Sequence, residues 1–85
     1  MAKVEIYSGP GCPYCVRAKS LLDKKGVEYT EHDIRTDANA LGQMMERTNG
    51  ARSIPQIFIN DNHIGGCDDL YALNDKGELD TLLND

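Results

Sequence analysis

At 85 residues, 40% of them hydrophobic, the chain has room for one compact domain, residues 1–85, and not for two. A formal net charge of −5 argues against nucleic acid, whose phosphates demand a basic face, and equally against an anionic membrane surface. No apolar run approaches the roughly 20 residues of a membrane span, and the opening Ala2-Lys3-Val4-Glu5 meets charge too early for a signal peptide. The expectation is a cytoplasmic, monomeric protein in a reducing compartment, where structural disulfides are rare. Three cysteines also make an odd number, which suits chemistry or packing better than a disulfide framework.

In chain order, Val4, Ile6 and Tyr7 read as a short strand stopped by Ser8-Gly9-Pro10-Gly11. Cys15, Ala18 and Leu22, with Leu21 beside them, form a helical stripe that Lys24, Lys25 and Gly26 bring to an end. A strand is expected over 27–34. A second helix is capped by Asp37 and presents Leu41, Met44, Met45 and Thr48, with Asn49-Gly50 as its stop. Gly42 in its interior costs it about 1 kcal/mol against alanine. Ile57-Phe58-Ile59 is a strand after Pro55, and Asn60-Asp61-Asn62 turns it into a short one at His63-Ile64, ended by Gly65-Gly66. Helices over about 68–74 and 78–83 close the chain. The order β-α-β-α-β-β-α, plus a short C-terminal helix, predicts an α/β fold: a four-stranded mixed sheet flanked by helices. Its first β-α-β unit makes a right-handed crossover.

Chemistry concentrates at Cys12-Pro13-Tyr14-Cys15, where loop becomes helix. Proline is favoured at the first helical position, so Pro13 makes Cys12 the N-cap. A thiolate there accepts from the free N–H groups of the first turn and meets the positive end of the helix dipole. Both effects should lower the Cys12 ionisation below that of a free thiol. Cys15, on the apolar stripe, should be buried and less acidic. An exposed attacking thiolate beside a shielded second thiol suits thiol–disulfide exchange through a mixed disulfide. The competing reading, half of a zinc site, needs about four ligands, and only Cys67, His32 and His63 could be added, at no recognised spacing. No metal site is therefore assigned. His32 and His63 read as solvated strand and turn residues without a role, and Met44-Met45 as core.

From this motif outward the chain resembles the glutaredoxins, specifically the small bacterial dithiol class. The resemblance is carried by Val4-Glu5-Ile6-Tyr7, then Cys12-Pro13-Tyr14-Cys15 with Arg17-Ala18-Lys19. Further on it rests on Ser53-Ile54-Pro55-Gln56-Ile57-Phe58-Ile59 and Ile64-Gly65-Gly66-Cys67-Asp68-Asp69-Leu70. Thioredoxin's own tryptophan-bearing motif is absent from a chain without tryptophan. The resemblance implies a thioredoxin-like fold and catalysis by Cys12 and Cys15, with glutathione as electron donor and no tightly bound cofactor. The implied partners are glutathione and disulfide-bonded or glutathionylated client proteins.

It also implies that Pro55 is cis, where the residues alone say only that Ile54 is extended. The Ile54 backbone would pair with the cysteinyl unit of glutathione. Gly66, Cys67 and Asp68 match the site for the γ-glutamyl end. There a helix N-terminus suits a carboxylate, although a Gly-Gly turn capped by Asp68 or Asp69 explains the same residues. Tyr14 would cover the tripeptide or stand as an exposed aromatic; Arg52 would meet the glycyl carboxylate or stay a solvated charge. Members of the family commonly carry a lysine shortly before the first cysteine. Here Ser8-Gly9-Pro10-Gly11 has no cation, so either glutathione affinity is lowered or Arg52 and Lys19 compensate. The alternative function is a module binding an iron–sulfur cluster or soft metal through Cys12.

Overall fold

The computed structural model describes residues 2–84, and its elements follow the expected order. Strand β1 (Val4–Ser8) is followed by helix α1 (Pro13–Lys24), strand β2 (Thr30–Asp33) and helix α2 (Ala38–Arg47). The hairpin of β3 (Gln56–Ile59) and β4 (Asn62–Gly65) comes next, then α3 (Cys67–Asp75) and the short α4 (Leu79–Leu83). The four strands form one sheet in the order β2-β1-β3-β4, with β1 parallel to β2 and antiparallel to β3. Asn60 and Asp61 both adopt positive φ, 52° and 66°, as a two-residue hairpin turn requires, and β4 runs back antiparallel along β3.

Strand alternation divides the core in two. Val4, Ile6, Ile57 and Ile59 face α1, α3 and α4, where they pack with Ala18, Leu22, Leu70 and Leu79. Tyr7 and Phe58 point the other way and meet Ala40 and Met44 of α2. The stripe read in the sequence is the buried side of α1, since Cys15, Ala18, Leu21 and Leu22 are covered while Val16 is 62% exposed. Gly26, at φ 71°, ends that helix in the left-handed conformation that glycine adopts freely. Asp37 caps α2 as expected, its carboxylate accepting from the Asn39 and Ala40 N–H groups.

Two departures are instructive. The second strand is shorter than expected. Residues 27–29 lie outside it because β2 pairs with β1 only from Glu5↔Thr30 to Ser8↔Asp33, and Val27 and Tyr29 pack against the core from the connecting segment. The histidines make contacts that the sequence did not suggest, although His63 is exposed as expected. Half-buried His32 lies within hydrogen-bond distance of Glu5, 3.2 Å, and stacks on Tyr7; His63 stacks on Phe58. They sit on opposite edge strands and do not converge with Cys67.

Candidate active site

The site forms where β1 ends and α1 begins, facing the turn before β3 and the start of α3. Cys12 is the N-cap of α1, with extended backbone and Pro13 behind it at the first helical position. Its Sγ accepts a hydrogen bond from the Cys15 N–H at 3.1 Å, and Cys12 and Cys15 are joined as a disulfide with their Cα atoms 5.2 Å apart. The asymmetry expected from the sequence is present: Cys12 is half-buried, whereas Cys15 is 1% exposed on the core side of the helix.

Opposite Cys12, the Ile54–Pro55 peptide bond is cis, and the Ile54 carbonyl lies 3.9 Å from the Cys12 Sγ. An open groove of about 380 Å³ runs from there, with Tyr14, Ile54, Pro55, Gly66, Cys67 and Asp68 in its walls. Six of the seven residues proposed from the resemblance to contact glutathione thus line one groove. Arg52 does not line it, but its neighbours Ala51 and Ser53 do, and its side chain is exposed.

At the start of α3 two aspartates divide their roles. Asp69, not Asp68, turns back to its own helix: its carboxylate accepts from the Gly66 N–H at 3.0 Å. Asp68 is exposed and accepts no hydrogen bond among the described residues. Gly65, at φ 120°, lies so close to Asp69 that a Cβ there would overlap its carboxylate. The Cys67 thiol is buried, 4% exposed, and its ionisation is pushed up, chiefly by that burial; the nearby Asp68 adds to the rise and Arg17 opposes it.

Sequence reasoning missed several supports. Arg17 lies over the rings of both Tyr14 and Tyr71, 5.9 and 5.7 Å from their centroids, and the Tyr71 hydroxyl donates to the Arg17 carbonyl at 3.1 Å. This places the Tyr14 ring on a support that reaches across to α3. His63 and Gln56 also line the groove, joined at 2.7 Å, and the Gln56 amide donates to the Ser53 carbonyl at 3.0 Å. The helical spacing of Tyr14 and Arg17 could have suggested a pair; the contact of Gln56 with Ser53 had no signal. Lys19, a candidate to replace the missing lysine, is instead paired with Glu31 at 2.8 Å. That contact and a hydrogen bond from Ser8 hold the Glu31 carboxyl below its ordinary value despite partial burial.

A family model described as glutaredoxin matches residues 4–64 of this chain. A probable glutaredoxin of Synechocystis is 57% identical over 98% of this chain and 94% of its own length. The chain belongs to the glutaredoxin family. Glutaredoxin from Brucella melitensis, solved in solution, superposes with a TM-score of 0.83 at 53% identity, covering 98% of this chain and 89% of that one. Buckwheat glutaredoxin, solved as a glutathione complex, superposes with a TM-score of 0.87 at 28% identity, over 98% of this chain and 77% of that one. As a glutaredoxin the chain has a thioredoxin-like fold and is a glutathione-dependent thiol–disulfide oxidoreductase. Among the described residues no helix is long and apolar enough to cross a membrane.

Proposed function

We propose that Cys12 is the attacking thiolate, that Cys15 is the resolving thiol, and that the groove beside them holds glutathione. One observation carries this reading: the Cys12 Sγ accepts from the first-turn N–H of Cys15 while facing the Ile54 carbonyl at the end of that groove. The fixed N–H dipole and the helix N-terminus favour sulfur as the anion, the form that attacks disulfides.

On a glutathionylated client, the Cys12 thiolate attacks the glutathione sulfur and the client thiolate leaves. A second glutathione thiolate then attacks that same glutathione sulfur, releasing glutathione disulfide and restoring Cys12. On a client with an internal disulfide, Cys12 becomes bonded to the client. Cys15, deprotonated, attacks the Cys12 sulfur, so the client leaves reduced and the Cys12–Cys15 disulfide remains for two glutathione molecules to reduce. Glutathione lies in the groove with its cysteinyl backbone along Ile54 next to Pro55. Its γ-glutamyl end lies at Gly66, Cys67 and Asp68, where helix N–H groups suit its carboxylate and the free Asp68 carboxylate suits its ammonium. Tyr14 covers it, and the exposed Arg52 guanidinium at the rim reaches its glycyl carboxylate. Its electron donor is glutathione, with no resident cofactor; its clients are glutathionylated and disulfide-bonded proteins, and it works as a cytoplasmic monomer.

The test compares single-cysteine variants on a glutathionylated peptide and on a disulfide-bonded protein. Cys12→Ser loses both activities. Cys15→Ser keeps much of the first and loses most of the second, because an intramolecular thiol acts at high effective concentration and free glutathione must diffuse in. Cys67→Ser retains both. Full activity of Cys12→Ser on either substrate would overturn the assignment.

A further inference from the structure

The loop of residues 8–11 leading into Cys12 contains no cation of its own, yet the fold brings one to it. Parallel pairing of β1 with β2 continues one step beyond the strands, the Ile34 N–H donating to the Ser8 carbonyl at 3.0 Å. The next residue, Arg35, therefore lies alongside Gly9. Asp33 fixes the turn: its carboxylate accepts from the backbone N–H groups of Arg35 and Thr36, at 2.8 and 3.3 Å. The Arg35 side chain then lies over the loop, and its Nη1 donates to the Pro10 carbonyl at 2.6 Å.

The fit is close. A Cβ on Gly9 would stand 3.1 Å from Arg35 Cδ and Nε on one side and from Ile54 Cδ1 on the other. A Cβ on Gly11 would stand 4.0 Å from Arg35 Nη1, which brings the guanidinium to the residue adjoining Cys12. The Arg35 guanidinium forms no ion pair among the described residues; the one carboxylate on its turn, Asp33, is taken up by the Arg35 and Thr36 backbone N–H groups.

We propose that Arg35 is a positioning residue: it clamps the loop before Cys12 and supplies the positive charge that favours the Cys12 thiolate. This rests on Cys12 being the attacking thiolate. The other charged groups on the elements around Cys12 are unequal to the task. Arg17 of α1 is held between two tyrosine rings, and Lys19 is paired with Glu31. In α3, Asp68 and Asp69 are anionic, the wrong sign for the role. Arg52 is exposed beyond the groove wall, and His63 is hydrogen-bonded to Gln56. A charge on an exposed guanidinium acts over about 10 Å in dilute salt and is screened within about 3 Å at 1 M.

The experiment is the rate of iodoacetamide labelling of Cys12 against pH in the reduced protein, for the unaltered chain, Arg35→Gln and Arg35→Lys, at low salt and at about 1 M salt. In dilute salt Arg35→Gln should move the Cys12 ionisation up by about half a pH unit, roughly a threefold loss of rate below it. Arg35→Lys should restore most of that shift, and high salt should erase the difference. Two results overturn the role of Arg35: a Gln variant whose profile matches the unaltered chain in dilute salt, or an equal shift in both variants that salt does not change. If the unaltered chain itself lacks a lowered Cys12 ionisation, the reading of the site fails with it.

Discussion

Asp68 and Asp69 stand side by side in the first turn of α3, yet only Asp69 serves the helix itself, through the Gly66 N–H. The Asp68 carboxylate is exposed and accepts no hydrogen bond among the described residues. Because it is exposed, the contact proposed for it with the ammonium of glutathione would be worth about 1 kcal/mol. Asp68→Asn should therefore raise the Michaelis constant for a glutathionylated peptide about fivefold while leaving the Cys12 labelling rate unchanged; steady-state kinetics beside iodoacetamide labelling checks both. Asp69→Ala provides the contrast, lowering thermal stability through the lost acceptor for the Gly66 N–H. At this scale the sequence was partly legible. Position at a loop–helix boundary marked Cys12, and the stripe marked Cys15 as shielded. Which aspartate capped α3 was not legible, because both occupy plausible capping positions and only the backbone path through Gly65, at φ 120°, selects Asp69. Arg35 was invisible for another reason: its contact with Pro10 spans 25 positions and depends on the register of β2 against β1.

Elements with strong local signals formed where the sequence placed them. Pro13 and Gly26 bracket α1, Asp37 opens α2, and two residues at positive φ turn β3 into β4. The second strand shows where local reading ends, since alternation over 27–34 is satisfied by packing alone and pairing decides which residues join the sheet. Within α2, Gly42 is exposed, and a Cβ placed on it meets nothing within 4 Å. Its backbone has no positive φ to protect. Gly42→Ala should therefore stabilise the protein by about 0.5–1 kcal/mol, through helix propensity and a less free unfolded chain. In a domain of this size that is a rise in melting temperature of roughly 2–8 °C. Calorimetry gives the answer directly, and no rise or a fall would mean that α2 is held in a way the structure does not show.

Across the whole molecule, α2 is tied to the sheet by Arg47, whose guanidinium reaches Glu5 at 3.1 and 3.2 Å, donates to the Tyr7 hydroxyl at 2.7 Å and covers the Phe58 ring. No sequence signal links Glu5 to Arg47, 42 positions away. Burial pushes the Glu5 carboxyl upward, but the hydrogen bonds from Arg47 and His32 outweigh it and hold the group below its ordinary value of 4.5. A carboxyl whose folded value is depressed contributes stability that is complete above the ordinary value and is lost as pH falls through the folded one. Glu5→Gln should thus lower stability by about 1–3 kcal/mol near neutral pH, and the gap should narrow as the pH drops below 4.5. Urea midpoints near neutrality and in acid measure it; a gap that widens in acid would refute this account of Glu5. The central claim is that a nucleophilic Cys12 works beside a glutathione groove, and its most direct test is structural. Cys15→Ser treated with glutathione disulfide should trap a mixed disulfide, and NMR should show contacts between the tripeptide and Tyr14, Ile54 and the Gly66–Asp68 turn. The account predicts the adduct on Cys12 with those contacts; an adduct on Cys67, or a tripeptide on Cys12 that touches none of them, would contradict it.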